Sequence, residues 1–120
     1  MKDFKISDDL LSAIIGRKTK FISFNKVEEI IMCNFYINKN THWQRINAFE
    51  LAFRCKEWAV KYNFQLVSWT VAFEAVKKKG YCQTHNIQDK NRESDKPFRE
   101  DTEVEAIIKA CEWILENKSN

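Results

Sequence analysis

Two segments of this chain carry apolar residues at helical spacing, and each needs a surface to press against. Ala48, Leu51, Ala52, Cys55, Trp58, Ala59 and Tyr62 recur three and four apart, as do Val104, Ile107, Ile108, Cys111, Ile114 and Leu115. That spacing lines one side of a helix with a continuous apolar stripe. Each stripe opens with capping-box spacing, Asn47 with Glu50 and Thr102 with Glu105, so the free N–H groups of the first turn have partners. Phe49, Phe53 and Val60 widen the first stripe. This predicts a central helix covered on two faces.

The surface those stripes need is expected from short β segments. A helix over 7–16 comes first, with Ser7 as cap, Asp8 and Asp9 at the positive end of the dipole and Gly16 as its stop. From Thr19 to Ile37 the period shortens to two. Phe21 to Asn25 and Ile30 to Ile37 read as an antiparallel hairpin turning near Asn25-Lys26. Residues 38–45 are polar and turn-like. Residues 64–70 and 81–87 read as strands. Over 71–79 the alanines and the ending Lys77-Lys78-Lys79-Gly80 place a helix ahead of an extended hairpin. Residues 88–101, with five acids, four bases and the single proline, read as a long charged loop. No internal repeat is visible. The predicted order is αββαβ(α)βα, one domain over 1–120, in the α+β class: a small, mainly antiparallel sheet packed against helices.

Composition limits the function classes. Two glycines and one proline in 120 residues exclude collagenous and linker-like chains, and 16 Phe, Tyr and Trp exclude disorder. No stretch approaches the ~18 apolar residues of a membrane span, so no membrane role is expected. The N-terminal segment lacks an apolar signal region, which predicts a cytoplasmic protein. Cys33, Cys55, Cys82 and Cys111 lie far apart without a CxxC pair; they are expected to be reduced thiols filling the core, with no metal site and no cofactor.

Catalytic motifs are sparse. There is no GxGxxG, P-loop, GxSxG or HExxH. His42 and His85 are the two histidines, and a His85 enzyme would need Cys82 or a carboxylate within reach. In a strand, Cys82 and His85 point to opposite faces, so a local dyad is not expected. Two basic clusters, Arg17, Lys18, Lys20 and Lys77, Lys78, Lys79, could form a phosphate-binding surface if Trp43, Trp69 or Tyr81 lay nearby. A net charge of +3 dilutes that idea, and the lysines serve equally as a helix-end cluster. Trp58 is expected in the core. Trp43 and Trp69 are candidates for exposure, with burial in a homodimer as the competing account, and Trp113 lies at the back of the last stripe.

The stretch Leu51-Ala-Phe-Arg-Cys-Lys-Glu-Trp-Ala59 and the ending from Asp101-Thr-Glu-Val-Glu through Cys111-Glu-Trp-Ile-Leu115 resemble small bacterial and phage-borne proteins of the ABA-sandwich kind. The resemblance covers residues 46–116 and implies a helix–sheet–helix sandwich and a phage or mobile-element context, with no catalytic residue to carry over. The resulting expectation is a non-enzymatic binding protein that modulates a host protein. Its contact residues would be His42, Trp43, Trp69, His85, Lys90, Arg92 and Phe98. The alternatives are nucleic-acid or nucleotide binding through the basic clusters and a small hydrolase-like enzyme using His85.

Overall fold

The computed structural model describes residues 4–73 and 77–118, with the side chains of 71–73 and 77–78 left aside. The chain runs α1 (Asp8–Ile15), β1 (Lys20–Asn25), β2 (Ile30–Ile37), β3 (Asn40–Asn47), α2 (Ala48–Val60), β4 (Phe64–Phe73), β5 (Lys77–Asn86), β6 (Lys96–Glu100) and α3 (Glu103–Asn117). The class is α+β, built from two antiparallel sheets of order β1-β2-β3 and β4-β5-β6.

Capping places all three helices. Ser7 Oγ accepts from the Leu10 N–H, and Gly16 closes α1 at φ +88°, a left-handed conformation that glycine adopts without steric cost. Asn47 Oδ1 accepts from the Phe49 and Glu50 N–H groups, and Thr102 Oγ1 from that of Glu105. Ser7 also joins α1 to α3, since its N–H and its hydroxyl both donate to the Glu112 carboxylate.

The order differs from the αββαβ(α)βα expectation in three places. The segment 38–45, expected as a polar turn, instead supplies most of β3. The turn proper is Asn38-Lys39, both at positive φ, which is the two-residue hairpin geometry that suits strand twist. β3 shows little apolar patterning because Ile46 is its one buried side chain. The helix expected over 71–79 is absent: β4 extends to Phe73, β5 starts at Lys77, and residues 74–76 lie outside the described part. The charged loop over 88–101 contains β6, whose Pro97 sits on an edge strand, where a missing N–H costs nothing.

A repeat hidden in the sequence emerges as well. Each sheet is followed by a helix, so the chain is α1 plus two βββα units. The helices align at a constant offset of 55 positions: Asn47 and Thr102, Glu50 and Glu105, Glu57-Trp58 and Glu112-Trp113. The strands do not, being 6, 8 and 8 residues long in the first unit and 10, 10 and 5 in the second.

Both sheets pack one face on the helices. Ile31, Cys33 and Ile46 come from the first sheet and Phe64, Leu66, Cys82 and Thr84 from the second, to meet Leu10, Leu51, Cys55, Ile107, Cys111 and Ile114. All four cysteines are buried and free, and Trp58 is buried. Gly80 is needed where β5 passes beneath α3, because a Cβ there would overlap the backbone of Thr102 and Glu103. The Cα trace measures 48 × 41 × 17 Å. That thickness suits one strand layer and one helix layer, since packed layers lie about 10 Å apart. A compact chain of this mass would expose about 6,800 Å²; this slab exposes 8081 Å². Phe49, Phe53 and Val60, expected to be covered, are more than half exposed, because the helix layer lies to one side of the strands. Among the described residues, no helix is long and apolar enough to cross a membrane.

Candidate functional site

The outer faces of the two sheets are open. Along β4, Phe64 and Leu66 face the helices while Gln65, Val67 and Trp69 face out; along β5, Gly80, Cys82 and Thr84 face in while Tyr81, Gln83 and His85 face out. Register then puts Trp69, Tyr81 and Arg99 in one row across β4, β5 and β6. The Trp69 and Tyr81 rings lie 4.4 Å apart between centroids, and the Arg99 guanidinium is 5.5 Å from the Tyr81 centroid. Trp69 is 40% exposed. A wide ring beside an aromatic and a guanidinium offers a stacking surface with positive charge at its edge.

Charge is divided between the layers. The helices hold Asp8, Asp9, Glu50, Glu57, Glu103, Glu105, Glu112 and Glu116 against Arg54, Lys56 and Lys109. The strands hold Lys20, Arg45, Lys77, Lys78, Lys79, Lys96 and Arg99 against the single carboxylate of Glu100, which pairs with the helix-facing Gly80. The modest net charge conceals an acidic helix layer and a basic strand layer.

The residues singled out in the sequence are dispersed by the fold. Trp43 and Trp69 both stand on outward strand faces. His42 faces the other side of β3 and stacks on Phe35, with ring centroids 5.7 Å apart; the Arg17 guanidinium covers the same Phe35 at 4.7 Å. Lys18 is exposed in the loop after α1, and Lys20 faces outward on β1. Lys79 is held by Asp101 at 2.8 Å, a hydrogen bond that raises its pKa. Lys77 and Lys78 are on β5, their side chains outside the described set. Lys90 and Arg92 are exposed in the β5–β6 connection. Phe98 turns inward toward Trp113.

His85 does meet a carboxylate. Its Nδ1 lies 3.1 Å from Asp95 Oδ1, and Asp95 also accepts from the Asn86 N–H. This contact fixes the orientation of the imidazole. Among the described residues no hydroxyl or thiol hydrogen-bonds to that ring. Cys82 points to the opposite face, and burial pushes its thiol up to about 12, far from a reactive thiolate. No group of three or more His, Cys, Asp or Glu suited to a metal occurs among the described residues.

Among the described residues, cavities lie elsewhere. One, of about 380 Å³, lies between α2 and the start of α3, lined by Phe49, Phe53, Val104 and Ile107 with Glu29, Asp101 and Glu103 around it. Another, of about 420 Å³, is bordered by Lys5, Lys109, Glu100, Glu105 and Glu112. Neither includes His85.

Sequence reasoning missed Arg99, placed in a loop, and it kept Tyr81 apart from Trp69 by setting a helix between them. The extended-hairpin alternative for 71–79 contained the signal, since it brings Trp69 opposite Tyr81. Compared with known protein families, curated proteins and solved structures, the chain has no match.

Proposed function

We propose that this protein is a non-enzymatic binding module that takes single-stranded nucleic acid on its open strand face. The observation that carries this reading is the row Trp69–Tyr81–Arg99 on a face whose strands are almost free of carboxylates. Every nucleobase has a flat face to stack on an aromatic ring, at about 1–3 kcal/mol per base, and phosphates gain from cations alongside. Duplex nucleic acid hides its base faces and has no use for an exposed tryptophan row.

Fluorescence anisotropy with a labelled oligothymidylate at two salt concentrations tests the reading. Affinity should fall as salt rises, with a log–log slope of about −0.7 per phosphate neutralised. Trp69→Ala should weaken binding by roughly 5- to 100-fold. Absence of binding at low salt would reject the reading.

A second reading, a protein partner, is favoured by the exposed Phe49 and Phe53 beside the 380 Å³ groove. Its rim carries Glu29, Asp101 and Glu103 with Lys56, which lies 4.0 Å from Glu103; the surplus of carboxylates suits a basic, apolar segment. Phe53→Glu would abolish binding of such a segment and leave the oligonucleotide titration unchanged.

A further inference from the structure

The first sheet carries a counterpart of the Trp69 row. Register aligns Lys20, Asn34 and Trp43 across β1, β2 and β3. Their neighbours Phe21, Cys33 and Gln44 occupy the helix-facing side, so this row faces out. Trp43 is 60% exposed on one edge strand, with Lys20 on the other edge, about 10 Å away. Tyr36 and Arg45 stand two residues along on the same face, Tyr36 being 70% exposed. Each βββα unit thus presents one exposed tryptophan on an edge strand and one cation on the opposite edge. The order is reversed between units: the cation comes first and the tryptophan last in the first sheet, the tryptophan first and the cation last in the second. The tryptophans therefore fall on β3 and β4, the strands on either side of α2 in the chain, and both strands pack against that helix. The 17 Å thickness of the Cα trace leaves room for one strand layer against one helix layer.

We propose that the chain holds two separate stacking sites, one at Trp43 with Lys20 and one at Trp69 with Tyr81 and Arg99, and that its ligand is a single strand long enough to bridge them. The proposal rests on the single-strand reading above and adds site number and ligand length. Bridging makes the second contact intramolecular, so a long strand gains affinity with no new type of contact. Linked sites of this kind raise affinity by about 10²- to 10⁴-fold over one site alone.

The test uses the full chain with oligothymidylates of about 5 and about 25 nucleotides, the shorter near the lower limit of known single-strand site sizes. Calorimetry gives the stoichiometry, and tryptophan fluorescence gives the affinity. The expected result is two short strands per wild-type chain and one per chain for Trp43→Ala or Trp69→Ala. The long strand should bind the wild type at least about 100-fold more tightly than the short one, and either substitution should remove that excess. Trp43→Phe, which keeps a ring, should restore both the second site and the excess. One short strand per wild-type chain, with Trp43→Ala unchanged, would overturn the two-site proposal and leave the Trp69 site standing. Absence of binding by any strand would overturn both.

Discussion

Replacing Gly80 by Ala adds one methyl group, and the fold has no room for it. β5 passes directly beneath the cap of α3, so the new Cβ would overlap the Thr102 carbonyl carbon and oxygen and the Glu103 nitrogen. These are backbone atoms at a helix start and cannot swing aside as a side chain can. The helix must lift, disturbing the Thr102 cap and the contacts of Val104 and Ile107 with the core. Overpacking of this kind costs about 1–3 kcal/mol and a lost cap about 1 more. Against this, alanine narrows the unfolded ensemble by about 0.4–1 kcal/mol. The balance is a destabilisation of about 2 kcal/mol, or roughly 8 °C in melting temperature at about 4 °C per kcal/mol for a chain of this size. Gly16→Ala is the control. Its Cβ would meet open space, and its cost of about 1 to 2 kcal/mol comes from the left-handed backbone alone. Circular dichroism melts and urea titrations of both variants measure the difference. If Gly80→Ala melts within about 2 °C of the wild type, the close approach of α3 to β5 is wrong.

Lys39 holds φ +69° as the second residue of the β2–β3 turn, so Lys39→Gly should stabilise by about 0.5–1 kcal/mol, read by the urea midpoint. Burial raises the Cys82 thiol to about 12, while the unfolded thiol keeps its ordinary value of 9.0. Its contribution is fully present below pH 9 and declines as pH rises toward 12, by about 1.4 kcal/mol per unit; urea titrations across pH 8 to 11 should follow that slope, which Cys82→Ala should lessen. Near pH 8 none of the four cysteines should react with a thiol reagent until the chain unfolds, and rapid labelling of the folded protein would contradict their burial. The Asp89 carboxyl is held below its usual range, chiefly by the Ser94 backbone N–H. Its contribution is present above about pH 4 and lost as pH falls further, so Asp89→Asn should flatten the acid side of the stability curve.

The chain's own residues determined its helices and much of its core. Ser7, Asn47 and Thr102 are caps by chemistry, and the stripes from Ala48 and Val104 can be read because a helix repeats its buried side every three or four residues. The β1–β2 hairpin was legible for the same kind of reason, since Ile31 and Cys33 alternate with outward residues. β3 and β6 were not, nor was the start of β5 over 77–80. Each leaves a whole face in water, and their outward sides are polar or charged, so Asn40–Asn47 resembles a turn and Lys96–Glu100 a loop. The site suffered most from this. Trp43 and Trp69 stood out as residues, but Lys20 becomes Trp43's row-mate, and Arg99 joins Trp69, only through strand register. Register is a tertiary property: a one-residue slip would turn either tryptophan toward the helices. The separation of charge was equally invisible in the total of +3, because it arises only when helices and strands are sorted into opposite layers.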